Sequence, residues 1–359
     1  MRRGRLILAV VAGLWAGPLT AGTPAARLLA PIPADETRPA VETASARIDP
    51  PARVSAPRPP EPADRDSFAF GDKLKDLWGK ATDRRGLQGD HAFDALISPV
   101  SNPLLFEDPR STTEVRPLFL YQKVPATQPN FGGGTVWFAG GQVRVALSER
   151  FSVVLNKIGV VNVKPAAGTG FDSGTGLAEL WVGPKYTFLR DEEFGTVAAA
   201  GATFQIPAGG AKVFQDTGSL SVVPYLSLAQ PLTKTRLGTL NGLANAGYAF
   251  SVNKDRSDYF SANAHLDLDV LNARRFYPLA ELTYTQVTSN GRERPGISGE
   301  GRDLINFGGT GKGGSLTGAV GGRVKLTKSL DVGAAFELPL AGNKDFLGHR
   351  FTVDLIWRY

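Results

Sequence analysis

The sequence has no cysteine and only one methionine, and beyond its first 25 residues it has no long hydrophobic run. Without cysteine, a disulfide scaffold and thiolate chemistry at a metal or nucleophilic site are both excluded. A spanning helix needs about eighteen or more consecutive apolar residues. If the rest of the chain enters a membrane, it must therefore do so as β-strands closed into a barrel.

The composition does not indicate a disordered protein or a nucleic-acid-binding protein. The 359 residues are 42% hydrophobic, which is enough to bury a large apolar surface. The net charge of +6 is dispersed, with basic residues alternating with acidic ones and no basic stripe interleaved with aromatics. We therefore expect no nucleic-acid partner.

Two N-terminal segments are not expected to form part of the fold. Residues 1–25 are typical of a secretory signal peptide, because three arginines precede a short apolar core. Residues 26–66 are rich in proline, alanine and charge, and cannot bury enough apolar area to offset the entropy of ordering. The second segment is predicted to be a disordered linker, either a spacer or a contact with the cell wall.

Residues 67–113 are expected on the periplasmic side of the structure that follows. Apolar residues between Phe70 and Ala81 recur at helical spacing and predict a short amphipathic helix. Pro99, Pro103 and Pro109 then exclude a helix or a central strand, so an irregular segment should lead into the first strand.

Residues 114–359 divide into about twelve segments, each of a length suited to a tilted membrane strand. The predicted strands lie near 114–124, 135–147, 151–163, 177–189, 195–206, 219–230, 238–251, 258–271, 276–287, 315–326, 330–340 and 349–359. Connections after even segments are short, and those after odd segments are mostly longer. Two prolines, Pro184 and Pro224, lie inside segments, where we expect β-bulges unless the predicted registers are wrong.

The last nine residues show the strongest alternation. Phe351, Val353, Leu355, Trp357 and Tyr359 share one face of an extended strand, and polar residues occupy much of the other. This stretch resembles the closing strand of a bacterial outer-membrane β-barrel. The resemblance implies that the terminal aromatic pattern is read by the barrel assembly machinery. In its overall layout, the chain is similar to the outer-membrane transport proteins associated with the phenol meta-degradation pathway.

An all-β, antiparallel transmembrane barrel of about twelve strands is thus the predicted fold, with residues 114–359 forming the barrel. A soluble β-sandwich would also show alternating strands, but its apolar face would lie inside. The alternation of short and long connections favours the barrel, with short turns and both termini in the periplasm and long loops outside.

The inward face of such a barrel carries mixed charge. The predicted lumen-lining residues are Arg144, Glu179, Lys185, His265, Asp267, Asp269, Glu281, Arg323, Lys325, Glu337, Asp354 and Arg358. Opposed charges across a narrow lumen either create a transverse field that admits polar solutes or close the lumen through ion pairs. His265, Asp267, Asp269 and Glu281 are residue types that bind metals. However, the three of them that share one strand spread over roughly 13 Å. We predict no catalytic, metal or cofactor site.

The sequence therefore predicts an outer-membrane channel or facilitator for the passive passage of small molecules, in contact with membrane lipid. The alternative is a non-conducting barrel that anchors the cell envelope through residues 26–66. An exported β-sandwich used for adhesion is the third possibility.

Overall fold

The computed structural model describes residues 86–359 except positions 295, 298–300, 302, 310–312, 343 and 345. The predicted signal peptide, linker and amphipathic helix lie outside the described residues. Within the described part, no helix is long and apolar enough to cross a membrane.

The described residues form one antiparallel sheet that closes on itself. Its strands are β1 Glu114–Lys123, β2 Gly134–Ala146, β3 Phe151–Pro165, β4 Gly174–Leu177, β5 Leu180–Asp191, β6 Thr196–Ile206, β7 Ser221–Lys234, β8 Gly238–Ser251, β9 Asp258–Val270, β10 Phe276–Ser289, β11 Gly313–Lys325, β12 Leu330–Gly342 and β13 His349–Arg358. A 3₁₀ turn, Ala211–Val213, lies between β6 and β7. Because β2 pairs with both β1 and β3, the sheet has no free edge there.

Strands β4 and β5 occupy one position in the wall, since both pair with β3, at different heights. The structure is therefore the twelve-stranded antiparallel barrel that the sequence predicts. One end, the short-turn end, contains the start of β1 and the end of β13, where Glu114 lies opposite Arg358. The other end, the long-loop end, carries the longer connections.

Alternation along the strands sorts residues to the two faces of the wall. On β1, Glu114 and Arg116 point inward and are buried, whereas Val115 and Phe119 point outward and are exposed. On the closing strand β13, Thr352, Asp354, Ile356 and Arg358 are buried, and the aromatic pattern of the last nine residues lies on the outer face. An apolar outer face is what a wall surrounded by lipid requires.

The inner face carries both polar and apolar side chains, and the apolar ones are most concentrated toward the long loops. There Leu120, Val136, Phe138, Val161 and Val163 are buried, beside the buried polar side chains of Gln122, Glu337 and Arg350. The expectation of a polar inner face thus holds only in part. The apolar side chains pack against residues from the loops, so they form a hydrophobic core inside the barrel.

The two mid-strand prolines do not coincide with bulges. Pro184 keeps its register with Val153 of β3 but has no bridge partner on β6, and the β5–β6 register is unchanged across the gap. Pro224 likewise pairs with Ala202 of β6 and has no bridge partner on β8. The expectation of bulges there is wrong, because a missing N–H interrupts the ladder on one side without adding a residue.

Candidate functional site inside the barrel

Residues 90–112, here called the interior segment, lie inside the barrel rather than outside its short-turn end. The prolines at 99, 103 and 109 keep this segment out of regular structure, so its peptide groups need other partners. The inward-facing side chains of the wall supply many of those partners. The segment thus occupies the short-turn half of the lumen and then continues into β1.

An acidic group on β9 and β10 holds the peptide N–H groups of the interior segment. The backbone N–H groups of Val100 and Ser101 donate to the two carboxylate oxygens of Glu281, at 2.9 and 2.6 Å. His265 lies between two carboxylates, with Nδ1 2.6 Å from Glu281 and Nε2 2.9 Å from Asp267. All three side chains are buried, so this charge cluster is shielded from solvent.

A basic group on β1 and β11 holds carbonyl oxygens of the same segment. Arg116 Nη2 donates to Pro99 O at 2.6 Å, and Arg323 Nε donates to Ser98 O at 3.3 Å. Both guanidinium groups also bind the carboxylate of Asp354 on β13. Bases therefore face carbonyl oxygens while acids face N–H groups, which orients the interior segment across the lumen.

The acidic residues of the interior segment bind the basic wall directly. Arg144 donates from Nε and Nη2 to the two oxygens of Glu107, both at 2.9 Å. Lys185 Nζ donates to the same carboxylate at 2.9 Å and to Asp108 O at 2.7 Å. Asp108 forms a buried ion pair with Arg110 of the same segment.

These carboxylates remain ionised despite their burial. Burial by itself raises the pKa of Glu107, but the charges of Arg144 and Lys185 outweigh it and hold the pKa below its ordinary value. The pKa of Asp108 is likewise lowered, because Arg110 outweighs the effect of burial. The hydrogen bonds of these two carboxylates are therefore charge-assisted, which makes them stronger than neutral ones.

The structure places all twelve predicted lumen-lining residues on the inner face, and all but half-buried Lys325 are buried. It brings them together in separate groups. Arg144 and Lys185 meet at Glu107, and Arg323 meets Asp354. Arg358 binds Glu114 and Asp331, and Glu337 accepts from Thr317.

Sequence reasoning missed several inward charges. Glu179 binds Lys157 and Arg256, neither of which was predicted to be inward. A register shift between Leu155 and Lys157 puts an extra residue into β3, so Lys157 turns inward where strict alternation places it outward. Arg256 lies in the short β8–β9 connection, where strand alternation makes no prediction.

The long-loop end is closed by aromatic residues that sequence reasoning also missed. Five loops each contribute one ring to what we call the phenylalanine cluster, which comprises Phe131, Phe171, Phe214, Phe307 and Phe346. Ring centroids of neighbouring members lie 4.8 to 6.1 Å apart. A phenylalanine in each of five glycine-rich or polar loops was the available signal. Large apolar side chains at such positions indicate loops that pack on one another.

The long β10–β11 connection also turns inward. Arg350 binds both oxygens of Asp303, at 2.6 and 2.8 Å, and Lys157 donates to Leu304 O at 2.7 Å. Together with the phenylalanine cluster, this connection occupies the long-loop half of the lumen.

Scans of the sequence against protein-family models and curated proteins find no match. Solved structures do match in fold. An outer-membrane channel from Pseudomonas putida F1 is 10% identical, with a TM-score of 0.50 over 74% of this chain and 100% of that one. The β-domain of the Bordetella autotransporter BrkA is 13% identical, with a TM-score of 0.42 over 69% of this chain and 100% of its own. The NanC porin is 10% identical, with a TM-score of 0.41 and the same coverages.

At such identities, the likeness concerns the fold alone. The fold is that of an outer-membrane β-barrel, which confirms the class indicated by the closing strand.

Proposed function

We propose that this protein lies in the outer membrane and is a channel or facilitator for small molecules, with the interior segment as its movable closure. The observation that supports the proposal is the way in which that segment is attached. No residue of it belongs to a strand. Wall side chains form hydrogen bonds to its peptide groups and carboxylates, and water can replace these when the lumen opens. Its apolar side chains also pack on the wall, as Phe93, Leu96 and Phe106 do against Val197, Ala229 and Leu243.

The polar character of the wall supports the same proposal. Buried ion pairs contribute little to stability, and well-packed apolar residues in their place are often neutral or stabilising. A wall that only had to be filled could be apolar throughout. The charged residues around the interior segment would keep that face hydrated once the segment has moved.

The second candidate is a non-conducting barrel that anchors the envelope. It is favoured by the occupation of the lumen at both ends, by the interior segment and by the phenylalanine cluster. In that case, the ion pairs would permanently fasten the interior segment. The two candidate functions therefore differ in whether the interior segment ever leaves the lumen.

The orientation follows from the same proposal. The short-turn end would face the periplasm, with both termini there, and the long loops would face outside. Residues 351–359 would then be read by the barrel assembly machinery, and residues 26–66 would be placed to contact the cell wall. The domain limits, with residues 1–25 as signal peptide, are part of this proposal.

Single-channel recording in planar bilayers tests the proposal. Replacing Glu281 with Gln keeps the shape of the side chain but removes the charge that holds the N–H groups of Val100 and Ser101. We expect the Glu281→Gln variant to open more often than the wild type. The matched control is Glu192→Gln in a short turn, whose carboxylate is 62% exposed, and it should leave the openings unchanged.

A folded barrel is checked by its shifted migration on unheated gels. If wild type, the Glu281→Gln variant and a variant lacking residues 90–112 are all folded yet silent, the channel proposal is wrong and the anchor takes its place. Openings of equal frequency in the two Gln variants would instead show that the interior segment is not the closure.

A further inference from the structure

The wall around the Glu107 carboxylate has the geometry of a receptor for an anion. Arg144 binds both oxygens through its planar fork, and Lys185 adds a third donor. Bidentate binding by arginine is the usual way in which proteins recognise a carboxylate. The carboxylate bound here belongs to the interior segment, whereas the two cations belong to β2 and β5. If the segment moved, both cations would lose this partner.

A cavity adjoins this carboxylate. It lies between the interior segment and strands β3 to β9, and its lining includes Leu104, Glu107, Trp181, Gln205 and Tyr225. The rest of its lining is mixed, with Leu105 and Val223 beside the polar side chains of Asn156, Thr203 and Ser261. Its volume is about 10 Å³, which is room for about one water. A larger ligand would therefore need the space that the interior segment occupies at rest.

Two polar atoms of the lining lack a partner. Trp181 Nε1 and Gln205 Oε1 are buried and have no hydrogen bond within the described part of the chain. Buried polar groups are rarely left unpaired, and such exceptions occur at functional sites. A donor and an acceptor are therefore available beside Glu107 for a ligand or for water.

We propose that Arg144 and Lys185 form a binding site for the carboxylate of a small organic anion, and that Glu107 occupies this site at rest. The solute's carboxylate takes the place of the Glu107 carboxylate, and its body takes the space that the interior segment vacates beside Trp181 and Tyr225. The solute and the interior segment thus compete for the same two cations. This inference rests on the proposed channel function and assigns a class of solute to it.

Calorimetric titration of the purified full-length barrel in detergent tests the site without requiring transport. The probe is butyrate, and butyramide serves as its uncharged isostere. In the Glu107→Gln variant, the two cations lose the charge of Glu107, while Arg144 keeps its ion pair with Glu114. Butyrate should therefore bind at least about tenfold more tightly than to the wild type. Butyramide should bind the two proteins equally weakly.

Further substitutions in the Glu107→Gln background locate the site. Adding Arg144→Gln should weaken butyrate binding at least about tenfold, because a charge-assisted hydrogen-bond pair is lost. Lys185→Gln should also weaken butyrate binding, and it replaces the Arg144 variant as the test if that variant fails to fold. Arg236→Gln is the matched control, because this arginine is exposed in a short turn far from the cavity.

Equal butyrate affinity in wild type and the Glu107→Gln variant would overturn the inference, as would butyramide binding as tightly as butyrate. Butyrate binding that survives loss of Arg144 and of Lys185 would also overturn it. If butyrate binds as expected but no variant conducts, the site stands and the channel proposal fails. If the protein conducts but butyrate does not bind, the channel proposal stands and the site fails.

Discussion

Asp354 is the carboxylate whose removal should disturb the barrel most. It lies on β13 between two arginines, and its Oδ2 accepts from Arg116 Nε and Arg323 Nη2, both at 2.8 Å. The three side chains are 0% exposed. Asp354→Asn preserves the shape but leaves two guanidinium groups facing each other without the charge between them.

The expected cost follows from this arrangement. Breaking a buried ion pair by removing one partner lowers the free energy of unfolding by about 3–5 kcal/mol. With two cations left uncompensated, we expect the upper part of that range. Adding Arg323→Gln to Asp354→Asn removes one of them and should restore about 1 kcal/mol or more, since contacting residues couple by about 0.5–3 kcal/mol.

Urea unfolding in lipid vesicles, followed by tryptophan fluorescence and by the gel shift of the folded barrel, measures these differences. The control is Asp172→Asn in an exposed loop, which should stay within about 0.5 kcal/mol of the wild type. An Asp354→Asn variant that is also within that margin would refute the reasoning. A double variant less stable than the single one would show that the arginines do not repel each other.

Three other predictions follow from the wall and its ends. Deleting Tyr359, whose N–H donates to Thr113 O at 3.0 Å, should block assembly, and a normal amount of heat-shifted barrel in membranes would contradict this. A cysteine at Val320, which is 66% exposed on the outer face, should react with a lipid-soluble maleimide, whereas a cysteine at buried Arg323 should not. The reverse pattern would indicate a soluble sandwich. Phe131→Ala should destabilise the packing of the phenylalanine cluster by about 3–5 kcal/mol. Limited proteolysis should then cleave the long loops faster than in the wild type, while the gel shift of the folded barrel is retained. Phe194→Ala in an exposed short turn is its control, and equal cleavage rates would show that the cluster does not hold the loops.

The sequence alone determined the number, order and approximate bounds of the wall strands. Alternation with period two is a local property, and the short and long connections between strands are visible as turn-forming stretches. The terminal aromatic pattern of residues 351–359 indicated in addition that the barrel is of the outer-membrane class. The inward direction of residues such as Arg144, Lys185 and Asp354 followed from the same alternation.

Alternation failed where the wall departs from regularity. Lys157 turns inward because one extra residue enters β3, and no local signal distinguishes that bulge from an ordinary strand. At Pro184 and Pro224, the sequence showed that a ladder donor was missing. Whether a bulge or an interrupted ladder would follow depended on the neighbouring strands.

The contents of the lumen were decided only by the tertiary structure. Three prolines showed that residues 99–109 form neither helix nor strand, but not that the segment lies inside the barrel. Its position depends on charges contributed by strands far away in the sequence, such as Glu281 for its N–H groups and Arg323 for a carbonyl oxygen. The phenylalanine cluster likewise forms between five separate loops. Contacts of this kind arise only when the barrel closes, because closure brings the inward faces of twelve strands around a single space.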